Sequence, residues 1–144
     1  MLFTNHLLAG AEIGRLGSSP AVAFGAGIAS HVAMDVVPHW GRWSPDELVR
    51  VGRVDGLTAL ALAAAALASA APARRPAVAA AMAGAGVLDL DKPFRHFFGF
   101  SPFPASVDAL HARIQVGERR SRWWIELAAL AGFGLVAARR HRRT

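Results

Sequence analysis

A histidine and an aspartate stand four residues apart in the stretch Ser30-His31-Val32-Ala33-Met34-Asp35-Val36-Val37-Pro38-His39. On an α-helix that spacing puts both side chains on one face, one turn apart. An imidazole and a carboxylate so placed can ligate one metal ion, the arrangement also used by paired histidines on metalloprotease helices. His39 can join them beyond the helix break that Pro38 imposes. A structural imidazole–carboxylate hydrogen bond would use the same spacing, and the pattern leaves that alternative open. If the segment lies in lipid, chemistry is favoured, because ionisable groups there are costly and usually functional. The chain has no cysteine, so disulfides, thiolate ligands and cysteine nucleophiles are excluded, and any metal must be held by nitrogen and oxygen.

The elements that would carry these residues read as apolar helices. Of the 144 residues 53% are hydrophobic and only 18% charged, too few polar groups to cover a small soluble domain. A first apolar run spans Leu7 to Leu16, with Thr4 or Asn5 as its N-cap, and breaks at Gly17-Ser18-Ser19-Pro20. The second runs from Ala21 to Val37 after Pro20 in a first turn. Ser44-Pro45-Asp46-Glu47 reads as a capped start of a short interfacial helix, followed by a third run, Val54 to Ala71. The fourth spans Ala77 to Leu90 and the last Trp123 to Ala138. Between these two, residues 91–122 form a polar insertion in which Val107, Leu110 and Ile114 give Ser106 to Gly117 an amphipathic helical face. The expectation is an all-α, single-domain integral-membrane protein over 1–144: a polytopic bundle of four to five apolar helices, one amphipathic helix, and a basic tail at 139–144.

Alternating helix direction gathers the polar residues at one face. His6 opens the first run; His31, Asp35 and His39 close the second; Asp55 opens the third; Asp89 and Asp91 close the fourth; His111 follows in the insertion. Arg15, Arg74, Arg75 and the tail fall on the other face. Asp55 also suits a helix N-terminus by charge alone, whereas Asp89 and Asp91 end a run, where the helix dipole disfavours a carboxylate. The basic residues that give the net charge of +6 sit in short clusters between apolar runs, as headgroup-flanking residues do. They form no basic face of the kind that binds nucleic acid.

The strings Thr4-x-His6, Pro20-Ala21-Val22-Ala23-Phe24-Gly25, Ser30-His31-x-x-x-Asp35-x-x-Pro38-His39-Trp40, Asp89-Leu90-Asp91-Lys92-Pro93 and His111-x-x-Ile114-Gln115 resemble a group of small bacterial integral-membrane proteins. That group is similar to membrane-bound metal-dependent hydrolases and, more distantly, to zinc-dependent phospholipase C-like proteins. The resemblance implies a helical fold with a metal site carried by His6, His31, Asp35, Asp89 and His111, with His39 and Asp55 as further ligands. It also implies a divalent ion, zinc first and manganese second.

The leading expectation is a hydrolase of a lipid or lipid-linked phosphoester, in which Asp89 and His111 serve as second ligand set or general base. A structural His/Asp site and an ion-handling transporter are the alternatives. A bacterial cytoplasmic membrane is the expected location, and the dense basic tail points to a cytoplasmic C-terminus.

Overall fold

The computed structural model describes residues 1–17 and 19–142. Ser18 of the expected break and Arg143 and Thr144 of the expected tail lie outside them. The described residues are helical and contain no strand. Seven α-helices follow one another: α1 (Phe3–Arg15), α2 (Pro20–Val36), α3 (Pro45–Ala68), α4 (Arg75–Gly86), α5 (Asp91–Phe98), α6 (Ala105–Ile114) and α7 (Trp123–His141). Short 3-10 turns continue α4 through Val87–Leu90 and α6 through Gln115–Gly117.

Local chemistry explains the starts of α2 and α3. Ser19 accepts from the Val22 amide with Pro20 in the first turn of α2. Ser44 and Glu47 cap each other's backbone amides, a full capping box, with Pro45 following. This start does not launch a separate interfacial helix: the chain continues unbroken to Ala68, 24 residues in all.

The packed core is α1, α2 and α4. Its buried apolar residues are small, among them Ala11, Ala23, Ala77, Ala81 and Ala85, with Val78 and Met82. Glycine sets the helix spacing. A Cβ at Gly84 would lie 2.1 Å from the Phe24 carbonyl oxygen of α2, and one at Gly14 would lie 2.3 Å from Val78 Cα of α4. Such backbone-to-backbone contact is possible only without a side chain.

The expected bundle of four to five membrane spans is not what forms. Among the described residues only α3 is long and apolar enough to cross a bilayer; its best 18-residue window has a mean hydropathy of 1.5 and is 6% buried. The 13 residues of α1 and 12 of α4 reach about 20 Å and 18 Å at the helical rise, short of a hydrocarbon core of about 30 Å. At 17 residues α2 is apolar but also short, and α7 carries Glu126 and a basic end. The Ala and Gly content that made these runs look lipid-facing serves helix contact instead.

Candidate metal centre

His6 projects from the first turns of α1, and its helix begins at Phe3 rather than at Leu7. Thr4 and Asn5 therefore lie inside the helix, and neither caps it. The capping groups come from elsewhere in the chain. Asp55 of α3 accepts from the Phe3 amide (2.7 Å), the Thr4 amide (3.0 Å) and the Thr4 hydroxyl, while Glu126 of α7 accepts from the Leu2 amide (3.0 Å) and from Asn5 Nδ2 (2.8 Å). Two carboxylates at the positive end of the α1 dipole are favourable there. Asp55 is thereby occupied: the structure does not bring it to the other candidate ligands, and its task is to seat the helix that carries His6.

The last turns of α2 supply His31 and Asp35 on one face, as their spacing requires. Asp35 is the hub. Its Oδ1 lies 3.1 Å from His6 Nε2 and its Oδ2 3.2 Å from His31 Nε2 and 3.5 Å from His111 Nε2. Gln115 Nε2 donates to Oδ2 (3.0 Å), and the Met1 ammonium contacts Oδ1 (2.6 Å). Asp89, in the 3-10 turn after α4, stands 3.6 Å from His111 Nε2 and 4.0 Å from His6 Nε2. Asp91 lies behind the ring, 3.6 Å from His111 Nδ1. The His6 and His31 rings stack at 4.0 Å. His6, His31 and Asp35 are fully buried.

His39 sits farther out, 4.0 Å from Asp35 Oδ1, and faces Glu118 at 3.6 Å. Its Nδ1 donates to the Val37 carbonyl (2.7 Å), leaving Nε2 buried without a hydrogen-bond partner. His96 lies on exposed α5 beside Phe97 and takes no part.

This donor set fits a metal ion. His31 Nδ1 lies 2.7 Å from the Ala85 carbonyl, an acceptor only, so the proton resides on Nδ1 and the Nε2 lone pair points into the cluster. There it meets Asp35 Oδ2 and, at 3.3 Å, His111 Nε2. Acceptors so crowded need a shared cation or proton. Ligand atoms around a tetrahedral zinc with bonds of about 2.0–2.1 Å lie about 3.3 Å apart, which is the spacing found. Backbone carbonyls behind His31 and His39 supply the outer hydrogen bonds that orient metal-binding imidazoles, and Asp91 stands 3.6 Å behind His111 Nδ1. Three overlapping triads have ligand atoms within 4.8 Å of one another: His6, His31 and Asp89; His31, Asp35 and His111; Asp89, Asp91 and His111. These buried groups can hold a metal ion.

The charge balance without an ion rests on protons, the Met1 ammonium and Lys92. Burial alone would push the Asp35 carboxyl up, but the close approach of His111, His31 and His6, and then of the Met1 ammonium, outweighs it and holds the group below the ordinary carboxylate range. Asp89 is likewise held down against burial, chiefly by the charge of Lys92, which it contacts directly. Burial works against a charged His111, yet its bonds to Asp35 and Asp91 prevail and push its pKa up to about 9.

Sequence reasoning overlooked Glu118 and Glu126 and assigned Gln115 no task. A signal existed for Glu126, since a carboxylate within an apolar run demands a partner; Glu118 has no comparable mark.

Fold and site together define an all-helical protein with a buried cluster of three histidines and two aspartates. No family model, curated protein or solved structure matches the chain.

Proposed function

We propose that this protein is a metal-dependent hydrolase working at a membrane surface, with zinc, or alternatively manganese, held among His6, His31, Asp35, Asp89 and His111. The observation that carries this reading is the overlap of three triads of buried or half-buried ligand side chains, the ligand atoms of each within 4.8 Å of one another, with the tautomer of His31 fixed by Ala85. A divalent ion in this set supplies Lewis acidity toward a phosphoester oxygen and activates water. The chain's own groups handle the proton. Where His6, His31 and Asp35 hold the ion, His111, backed by Asp91, would donate a proton to the leaving oxygen, and Asp89, at the rim beside Lys92, would take one from water. Lys92, Arg95, Arg113 and Arg42 supply cationic contacts for a phosphate.

A lipid or lipid-linked phosphoester is the proposed substrate class. Support comes from α3 as a candidate span and from Phe97 and Phe98, 70% and 65% exposed on the helix that follows Asp91, well placed to rest at headgroup depth. We place the protein in a bacterial inner membrane with the end of α7 cytoplasmic; labelling of an introduced Arg142→Cys from outside intact cells would overturn that orientation.

The complete burial of His6, His31 and Asp35 favours a second reading, a structural ion that locks α1 to α2. Metal analysis of detergent-purified wild type, His31→Ala and Asp35→Ala, beside phosphodiester hydrolysis and circular dichroism, separates the two. The hydrolase reading expects stoichiometric metal in wild type, and loss of metal and turnover with helicity kept in the variants. Loss of helicity in both variants supports the structural ion, and a well-folded wild type that takes up no metal overturns both.

A further inference from the structure

The end of α4 and the turn that follows it present two faces. On one, the Ala85 carbonyl accepts from His31 and Asp89 joins the ligand cluster. On the other, Met82, Gly86, Val87 and Leu90 form one wall of a groove of about 330 Å³, which Phe24 of α2 and the start of α1 complete. That volume falls within the range of small-molecule sites. Glycine lets α1 close the groove: a Cβ at Gly86 would lie 2.7 Å from Phe3 Cε2 and 3.0 Å from Leu7 Cδ2. The residues on either side of His6 in the chain therefore help to line it.

The walls fix the chemistry of an occupant. Among the described residues they carry no charged, hydroxyl or amide side chain, so a polar ligand would give up its water with no partner in return. A hydrocarbon loses nothing there and leaves water. The groove is open to it, since Phe24 is 38% and Leu90 39% exposed. From Met82 to Leu90 the wall runs about 12–14 Å at the rises of the α- and 3-10 helix, which suits a chain better than a compact group. Its position says which chain. The groove ends at Leu90, the residue after Asp89, and Lys92 pairs with Asp89 while 34% of its side chain stays exposed. A cation and the ligand cluster at one end, with a bare apolar channel leading away from them, match a phosphoester head and its tail.

We propose that this groove takes the acyl chain of the phosphoester whose head lies at the His/Asp cluster, with Met82, Gly86 and Leu90 setting which chains fit. The proposal rests on the hydrolase reading and gives its substrate a long chain.

The test is photolabelling of the full chain in phosphatidylcholine nanodiscs. The probe is a phosphonate analogue of phosphatidylcholine, which hydrolysis at the phosphoester cannot consume, with a diazirine midway along one acyl chain; adducts are located by mass spectrometry. Metal content and hydrolysis of bis(p-nitrophenyl) phosphate, a diester without a chain, are measured alongside. Adducts should gather on Phe24, Met82 and Val87, about fivefold above those on the bare α3 face at Leu57, and fall about fivefold on chelation. Ala83→Trp, which fills the groove from an exposed position on α4, should cut them on the order of tenfold and leave metal content and turnover of the chainless diester unchanged. Leu57→Trp should change none of these. Adducts spread evenly over groove and α3, adducts kept in Ala83→Trp, or groove adducts indifferent to chelation, as bulk lipid would give, would each overturn the proposal. Failure of the groove alone leaves metal and chainless turnover intact in wild type, whereas failure of the hydrolase reading removes them.

Discussion

Two halves of this molecule are held together by opposite means. The α1, α2 and α4 helices meet through alanine and glycine, close enough for backbone to touch backbone, and they seal His6, His31 and Asp35 among them. The α3 and α7 helices have apolar sequences too; α3 lays Ala59, Ala63, Ala66 and Leu67 on the core, and beyond that seam both helices are tied to it by polar links. Asp55 and Glu126 grip the start of α1, while at its other end Arg15 donates to the Ala66 carbonyl (2.7 Å) and Arg140 pairs with Glu12. Their outer apolar faces stay bare: Leu57 is 71% and Leu135 60% exposed. Hydrophobicity in one half is spent on the protein itself, and in the other much of it stays exposed.

Substitutions can break or sharpen this contrast. The largest effect is expected in the close-packed half, where Gly84→Leu drives a side chain into the Phe24 carbonyl and should destabilise by about 4 kcal/mol or more, read as loss of the thermal unfolding transition in detergent. Next is Asp55→Ala, which strips three donors of their acceptor and should cost about 2–3 kcal/mol and lower metal occupancy together with stability. A smaller effect concerns pH in chelator-treated protein. Because the folded-state pKa of His111 is raised from 6.5 to about 9, its contribution is complete below 6.5 and lost as pH climbs through 9. Asp35 and Asp89 are depressed, so theirs is present above about 3.8 and lost on acidification. Burial holds the His6 pKa below 6.5, so that group opposes folding once pH falls below 6.5; a melting profile that declines on acidification and also falls toward pH 9 is expected, and His111→Gln should remove the alkaline fall. Smallest is Leu57→Ala on the bare face of α3, expected to shift stability by no more than about 0.5 kcal/mol in detergent. A large effect there would mean that this face is packed against protein.

The sequence reveals the starts of α2 and α3 because Ser19-Pro20 and Ser44-Pro45 act locally, through caps that need no partner elsewhere. His31 and Asp35 are visible for the same reason, their relation being fixed by one helical turn. The number of membrane spans is not legible. Alanine and glycine score as apolar whether they face lipid or another backbone, so the runs around Gly14 and Gly84 look like spans when they are contact surfaces. Asp55 misleads in a similar way: a carboxylate at a helix start suits a ligand, a dipole partner or, as here, a cap for a different helix. Which of these holds depends on where α1 comes to rest. Glu118 is invisible for want of any local pattern, since its relation to His39 is made by the chain folding back.

The clamp on α1 has a consequence for the order in which the chain can mature. Leu2 and Glu126 are 124 positions apart, so one of the first helices synthesised is completed by one of the last, and the loop between them must close before the contact exists. Until α7 emerges, the amide of Leu2 and the side chain of Asn5 await their acceptor, and the helix end that carries His6 is held by Asp55 alone. The centre is therefore a late product of biosynthesis, and chains interrupted before Trp123 should be made without a competent site.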